Sequence, residues 1–138
     1  ARSDWGELYT YYARNIVGGG PPITSPVNLS GTCQYEALYA AEYSGIMASS
    51  PLDQIASNYG NSAALDSGYR TTTQAKELIF GFGAGDQPVT VDSSFNARST
   101  LDGNFIADRI VTSAGSYHVF GTLPSSQWAA QMATFRGA

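Results

Sequence analysis

Apolar positions recur every three to four residues through the first half of the chain and in short β-prone bursts through the second. Behind the capping pattern Asp4-x-x-Glu7, residues Trp5, Leu8, Tyr9, Tyr12 and Ile16 fall at helical spacing and predict an amphipathic helix over residues 4 to 16. Gly18-Gly19-Gly20-Pro21-Pro22 ends it, and residues 18 to 31 read as the longest loop. Thr32 caps a second predicted helix, Cys33 to about Tyr43, rich in helix formers and followed by Gly45. Ser50-Pro51-Leu52-Asp53 supplies a cap, a proline at N1 and an acid at N3, which predicts a third helix from 51 to about 58. Thr71 to Thr73 cap a fourth around Gln74 to Phe80, although Leu78-Ile79-Phe80 equally begins a strand. Gly81-x-Gly83-x-Gly85 ends either one as a flexible connection.

The texture then changes. Val89-Thr90-Val91, Phe105-Ile106-Ala107, Ile110-Val111 and His118-Val119-Phe120 are short β-prone runs separated by Gly, Asn and Asp. Residues 87 to 123 therefore read as an antiparallel meander of three to four strands. After Pro124-Ser125, the residues Trp128, Met132 and Phe135 fall on one helical face, with Gly137 as the stop. The predicted fold class is α+β, a helical N-terminal half packed on a three- to four-stranded antiparallel sheet with a C-terminal helix. At 138 residues the chain fits a single domain, 1–138, able to bury about two thirds of its unfolded surface.

Composition narrows the function classes. Only 13% of residues are charged, against roughly a quarter in ordinary domains, so solubility falls to Ser, Thr, Asn, Gln and Gly, as in many exported proteins. Eleven acidic and seven scattered basic residues give a net charge of −4, which argues against a nucleic-acid partner because phosphate binding needs a concentrated cationic face. A single cysteine excludes an internal disulfide and the multi-cysteine metal sites; no metal or cofactor is expected. No apolar run approaches the ~18 residues of a membrane span. The chain opens on Ala1 rather than Met and reads as a processed or excised product, consistent with a secreted or otherwise exported protein.

The candidate chemistry rests on the lone cysteine and the lone histidine. In the first turn of the predicted second helix, unpaired backbone N–H groups and the positive end of the dipole favour a Cys33 thiolate, and an imidazole from a packed strand completes an ion pair. Gly31-Thr32-Cys33-x-x-x-Ala37-Leu38 resembles the nucleophile helix of papain-like cysteine hydrolases, and Ser116-Tyr117-His118-Val119 resembles their histidine strand. The resemblance implies that Cys33 attacks a carbonyl carbon of a protein or peptide substrate and that His118 protonates the leaving amine, as in a peptidase, amidase or glutamine deamidase acting as a small effector. The family orients its histidine with a downstream Asp or Asn; no Asp, Asn or Glu follows His118, so that role passes to Gln127, to Gln131, or to an upstream Asp92, Asp102 or Asp108.

A non-enzymatic reading stands beside it. Tyr35, Tyr39 and Tyr43 recur at i, i+4 and i+8, and Tyr9, Tyr11 and Tyr12 lie on the first predicted helix. Such a stripe forms a recognition face for a glycan or protein partner, or, more commonly, a helix-packing seam with hydroxyls at the surface. The order of elements and the low charge also fit a structural subunit of the pilin or capsid kind. Glu36 with Glu42, or Asp102 with Asp108, offer acid–base pairs only if the fold brings them together.

Overall fold

The computed structural model describes residues 2–3, 6–18, 31 and 36–138, and among these residues it contains no α-helix. Ten strands follow one another: β1 (Arg2–Ser3), β2 (Gly6–Glu7), β3 (Leu52–Asp66), β4 (Arg70–Thr71), β5 (Glu77–Gly85), β6 (Thr90–Val91), β7 (Asn96–Ser99), β8 (Phe105–Val111), β9 (Ser116–Tyr117) and β10 (Phe120–Arg136). A 3-10 turn, Leu101–Gly103, precedes β8. The main sheet has the order β3-β10-β5-β8-β7 and is antiparallel throughout, while β6 pairs with β10 beyond the end of β5. Two short ladders, β1-β2 and β4-β9, lie outside it.

The 17-residue β10 organises the sheet. Trp128 to Arg136 run between β3 and β5, and Gly121 and Thr122 run between β3 and β6. Because side chains alternate along a strand, Trp128, Ala130, Met132 and Thr134 share one face, and Ala129, Gln131, Ala133 and Phe135 share the other. The first face joins Ile79, Phe105, Ala107 and Val111 in the larger core, closed by Val89, Phe95, Val119 and Leu123 from the connecting segments. On the second face Leu8 packs on Ala84, Ala129 and Phe82, Tyr39 tilts against Phe82, Tyr43 meets Phe80 edge-on and Tyr12 meets Phe135 edge-on. A strand covered on both faces reads as a continuous apolar run, which is why Trp-Ala-Ala-Gln-Met-Ala carries little visible alternation.

The α+β expectation is thus overturned, and each predicted helix fails for an identifiable reason. The C-terminal stretch is β10: its helix-forming residues are held extended by partners on both edges, and tertiary pairing overrides intrinsic propensity. Residues 51 to 58 lie mostly in β3, where Asp53, instead of serving a helix start, accepts hydrogen bonds from the Thr73 amide and hydroxyl at 2.7 and 2.6 Å. Gln74 to Phe80 lead into β5, the strand alternative. Residues 8 to 18 and 36 to 44 carry no helix or strand; Leu8, Tyr12, Tyr39 and Tyr43 pack on the sheet, while Tyr11, Ile16, Val17 and Leu38 are exposed. The start of the predicted second helix, including Cys33, lies outside the described residues. The β-prone runs fare better: Phe105-Ile106-Ala107 and Ile110-Val111 merge into β8, and Phe120 opens β10.

Gly81, Gly83 and Gly85 are not a flexible connection either. They occupy alternate positions of β5, all toward the larger core, where a Cβ on Gly81 would lie 2.6 Å from Val119 Cγ1 and one on Gly83 2.3 Å from the Phe105 ring. Gly83 and Phe105 are cross-strand partners, so the ring fills the space that the glycine leaves. Gly83→Ala should therefore lower the unfolding free energy by roughly 1–3 kcal/mol through overpacking. Gly6→Ala, with open space around the added carbon, should change it by less than about 0.5 kcal/mol when both variants are unfolded in urea.

Candidate functional site

His118 sits between β9 and β10, and its orientation is set by Val119, which is fully buried. The Val119 amide donates to Ser67 Oγ, and the Val119 carbonyl accepts from the Ser67 amide, both at 2.9 Å. With Val119 turned into the core, His118 and Phe120 point the other way, two residues apart on an extended backbone. The imidazole is sandwiched, with the Tyr69 ring at 3.9 Å and 17° on one face and the Phe120 ring at 4.5 Å and 14° on the other.

The sandwich has a carboxylate at its edge. Asp66 Oδ1 lies 3.0 Å from His118 Nδ1, and Nδ1 has no hydrogen-bonded partner. Asp66 ends β3 and is held by the Gly68 amide, which donates to Oδ1 at 2.8 Å across a turn that Gly68 makes at φ +85°. The acid beside His118 thus comes from upstream, and it is none of the candidates read from the sequence. What could have pointed to it is the turn signature Asp66-Ser67-Gly68.

The other predicted residues are placed elsewhere. Gln127 pairs with Asn61 in the β10-β3 ladder, whereas Asp66 pairs with Phe120. Five positions along β3 separate the two, roughly 16 Å at about 3.3 Å per residue, so Gln127 does not orient the imidazole. Asp92 turns its carboxylate to the Ser94 amide at 2.8 Å. Asp108 is fully committed: Arg98 grips it through Nε and Nη2, and the Tyr43 hydroxyl donates to it at 3.0 Å. Burial alone would raise the Asp108 carboxyl, but the Arg98 hydrogen bonds and charge, with Tyr43, hold it below the usual carboxylate range. Burial and then Asp108 push the Tyr43 hydroxyl well above its ordinary value.

Tyr39 and Tyr43 therefore pack against β5 and hydrogen-bond within the chain. Tyr39 donates to the Leu101 carbonyl at 2.7 Å and accepts from Asn104 Nδ2 at 3.2 Å. Tyr35 lies outside the described residues, as does Cys33, so the structure describes only the histidine half of the predicted pair. Among the described residues the exposed tyrosines are Tyr9, Tyr11, Tyr12, Tyr59 and Tyr69, with Tyr11 the most exposed at 85%.

A groove of about 420 Å³ opens at the β3 side of the sheet. Ile55 and Ser57 of β3, Phe80 of β5, and Ala133 and Phe135 of β10 line it, with Thr10 and Tyr12 as one wall and Arg70 at the rim. Gln131 fastens the Thr10 segment over it, accepting from the Thr10 hydroxyl at 2.6 Å and donating to the Leu8 carbonyl at 2.9 Å. Among the described residues no group of three or more His, Cys, Asp or Glu side chains converges as a metal site. Among the same residues no helix is long and apolar enough to cross a membrane.

The aromatic sandwich predicts a structural cost for removing the imidazole. His118→Ala should destabilise the fold by about 1–3 kcal/mol, the sum of two ring contacts of about 0.5–1.5 kcal/mol each, as read from the denaturant midpoint. No protein-family model, curated protein or solved structure matches the chain.

Proposed function

We propose that this chain is a non-catalytic recognition module of an exported protein, and that the groove beside β3 takes an acid-bearing glycan such as a uronic-acid oligosaccharide. The observation that carries the reading is the groove's lining, an apolar floor with one aromatic wall and one cation. At about 420 Å³ it falls in the size range of small-ligand sites. Tyr12 offers a ring on which the C–H face of a sugar can stack, and the Ser57 hydroxyl is left for a sugar oxygen. Arg70 forms no ion pair among the described residues; its Nη1 donates to the Tyr69 carbonyl at 2.8 Å, leaving its other N–H groups for a carboxylate. In a chain of net charge −4, an unpaired arginine at a groove favours an anionic ligand over a neutral one.

A second reading, a thiol hydrolase built on Cys33 and His118, is supported by the carboxylate of Asp66 beside Nδ1, the position from which a third group orients a catalytic imidazole. The two readings separate experimentally. Calorimetric titration with neutral oligosaccharides, uronic-acid oligosaccharides and acidic peptides should give binding to the uronic-acid set. Arg70→Ala should weaken that binding about ten- to hundredfold, the equivalent of losing one charged hydrogen bond. A preference for acidic peptides or neutral sugars, or no binding at all, rejects the glycan assignment. For the hydrolase, alkylation of Cys33 near neutral pH should slow when His118 is replaced by Gln; an unchanged rate rejects the pair.

A further inference from the structure

At the end of the sheet remote from His118, two carboxyl groups are buried side by side. The Asp53 side chain on β3 is fully buried, and Glu77, the first residue of β5, is 1% exposed. Their surroundings are unequal. Asp53 accepts from the Thr73 amide and the Thr73 hydroxyl, and Arg136 Nη2 pairs with its Oδ1. Glu77 receives only a long 3.4 Å contact from the Gln74 amide and the Thr134 hydroxyl, and its Oε2 is buried with no hydrogen-bonded partner. The charged and titratable groups facing the pair are these two acids and Arg136. Neighbouring Lys76 directs its ammonium to the Ala138 carbonyl at 2.6 Å.

One guanidinium neutralises one carboxylate; a second charge in the same buried site would have no compensation. We propose that Asp53 and Glu77 hold a single proton between them, on Glu77, and that this proton is a pH-sensitive latch on the ends of β3, β5 and β10. The carboxylic acid of Glu77 donates to the Asp53 carboxylate, and Asp53 pairs with Arg136, so the cluster is neutral overall. Arg136 in turn donates to the Ser50 and Leu52 carbonyls at 2.8 and 3.1 Å, and the Gly137 amide donates to the Lys76 carbonyl at 2.8 Å. Three strand ends are thereby tied to one proton. Leu52 and Phe135, the chain neighbours of Asp53 and Arg136, line the groove, whereas the latch residues themselves do not.

The directions of titration agree with the donor count. Burial and then the neighbouring Asp53 outweigh the Thr134 hydrogen bond and raise the Glu77 carboxyl. For Asp53, burial works toward a raised value, but the Thr73 hydrogen bonds, Glu77 and Arg136 outweigh it and hold the group low. An acid whose folded pKa is raised contributes stability that is full below its unfolded value and is lost as pH rises through the folded value. For Asp53 the opposite holds: its contribution is present above the unfolded value and lost as pH falls through the folded one. Stability should therefore peak in mild acid and decline toward alkaline pH as the proton leaves.

The test is the melting temperature of the whole chain between about pH 5 and about pH 8, for the wild type and for Glu77→Gln, whose amide donates to Asp53 at every pH. The wild type should lose roughly 3–6 °C across this range, and the variant should lose little and melt above the wild type at the alkaline end. Parallel curves for the two proteins overturn the proposal. Should the variant fail to fold, infrared spectroscopy of the unaltered protein decides: a protonated-carboxyl C=O band persisting at neutral pH supports the latch, and its absence overturns it. Neither readout involves a ligand, so the outcome is independent of the glycan assignment.

Discussion

The close approach of large side chains to glycine across β5 is the constraint on which the rest of the structure depends. Gly81 faces Val119, Gly83 faces Phe105 and Leu65, and Gly85 faces Leu123. A side chain at any of the three would hold the covering segments away from the sheet. The same device recurs on the same face between β10 and β3, where Trp128 lies over its cross-strand partner Gly60 and donates from Nε1 to Ser62 Oγ at 2.9 Å. Trp128 is also the partner of Gly85, so one indole is flanked by glycine on both neighbouring strands. Bulk is thus concentrated on a few large side chains and withheld from the strand positions beside them.

This arrangement positions the functional features. Val119 fills the space above Gly81, and because Val119 is locked inward, His118 and Phe120 are presented outward against Tyr69 and Asp66. On the other face of the sheet the covering material is the N-terminal chain itself. It is held by Leu8, Tyr12, Tyr39 and Tyr43, together with the Gln131 hydrogen bonds, and the groove is the space it leaves at the β3 side. A surface made partly of irregular chain can adjust to a ligand more readily than one made only of strands.

How much of this was legible turns on one numerical accident. Trp128 and Met132 in β10 are four apart. A spacing of four returns to the same face of a helix and, being even, also to the same face of a strand. Only the odd step from Met132 to Phe135 separates the two cases; in β10 these residues lie on opposite faces, whereas a helix would have placed them together. With Ala129, Ala130, Gln131, Met132 and Ala133 all good helix formers, local preference pointed the wrong way, and the partners that reversed it lie in Glu77–Gly85 and Leu52–Asp66, far upstream.

The sequence by itself determined the β-prone runs around Phe105 to Val111, the aromatic flanks of His118, the sparse charge and the richness in tyrosine. Those properties are written in side chains and their immediate neighbours. Tertiary structure alone decided that Leu52–Asp66 and Phe120–Arg136 are long strands. It also decided that Asp66 stands beside His118 while Gln127 does not, that Tyr39 and Tyr43 turn inward, and that Asp53 meets Glu77 in a buried site. The physical reason is that a periodic pattern records which side chains avoid water, whereas strand pairing, burial and charge neutralisation depend on groups that approach from distant parts of the chain.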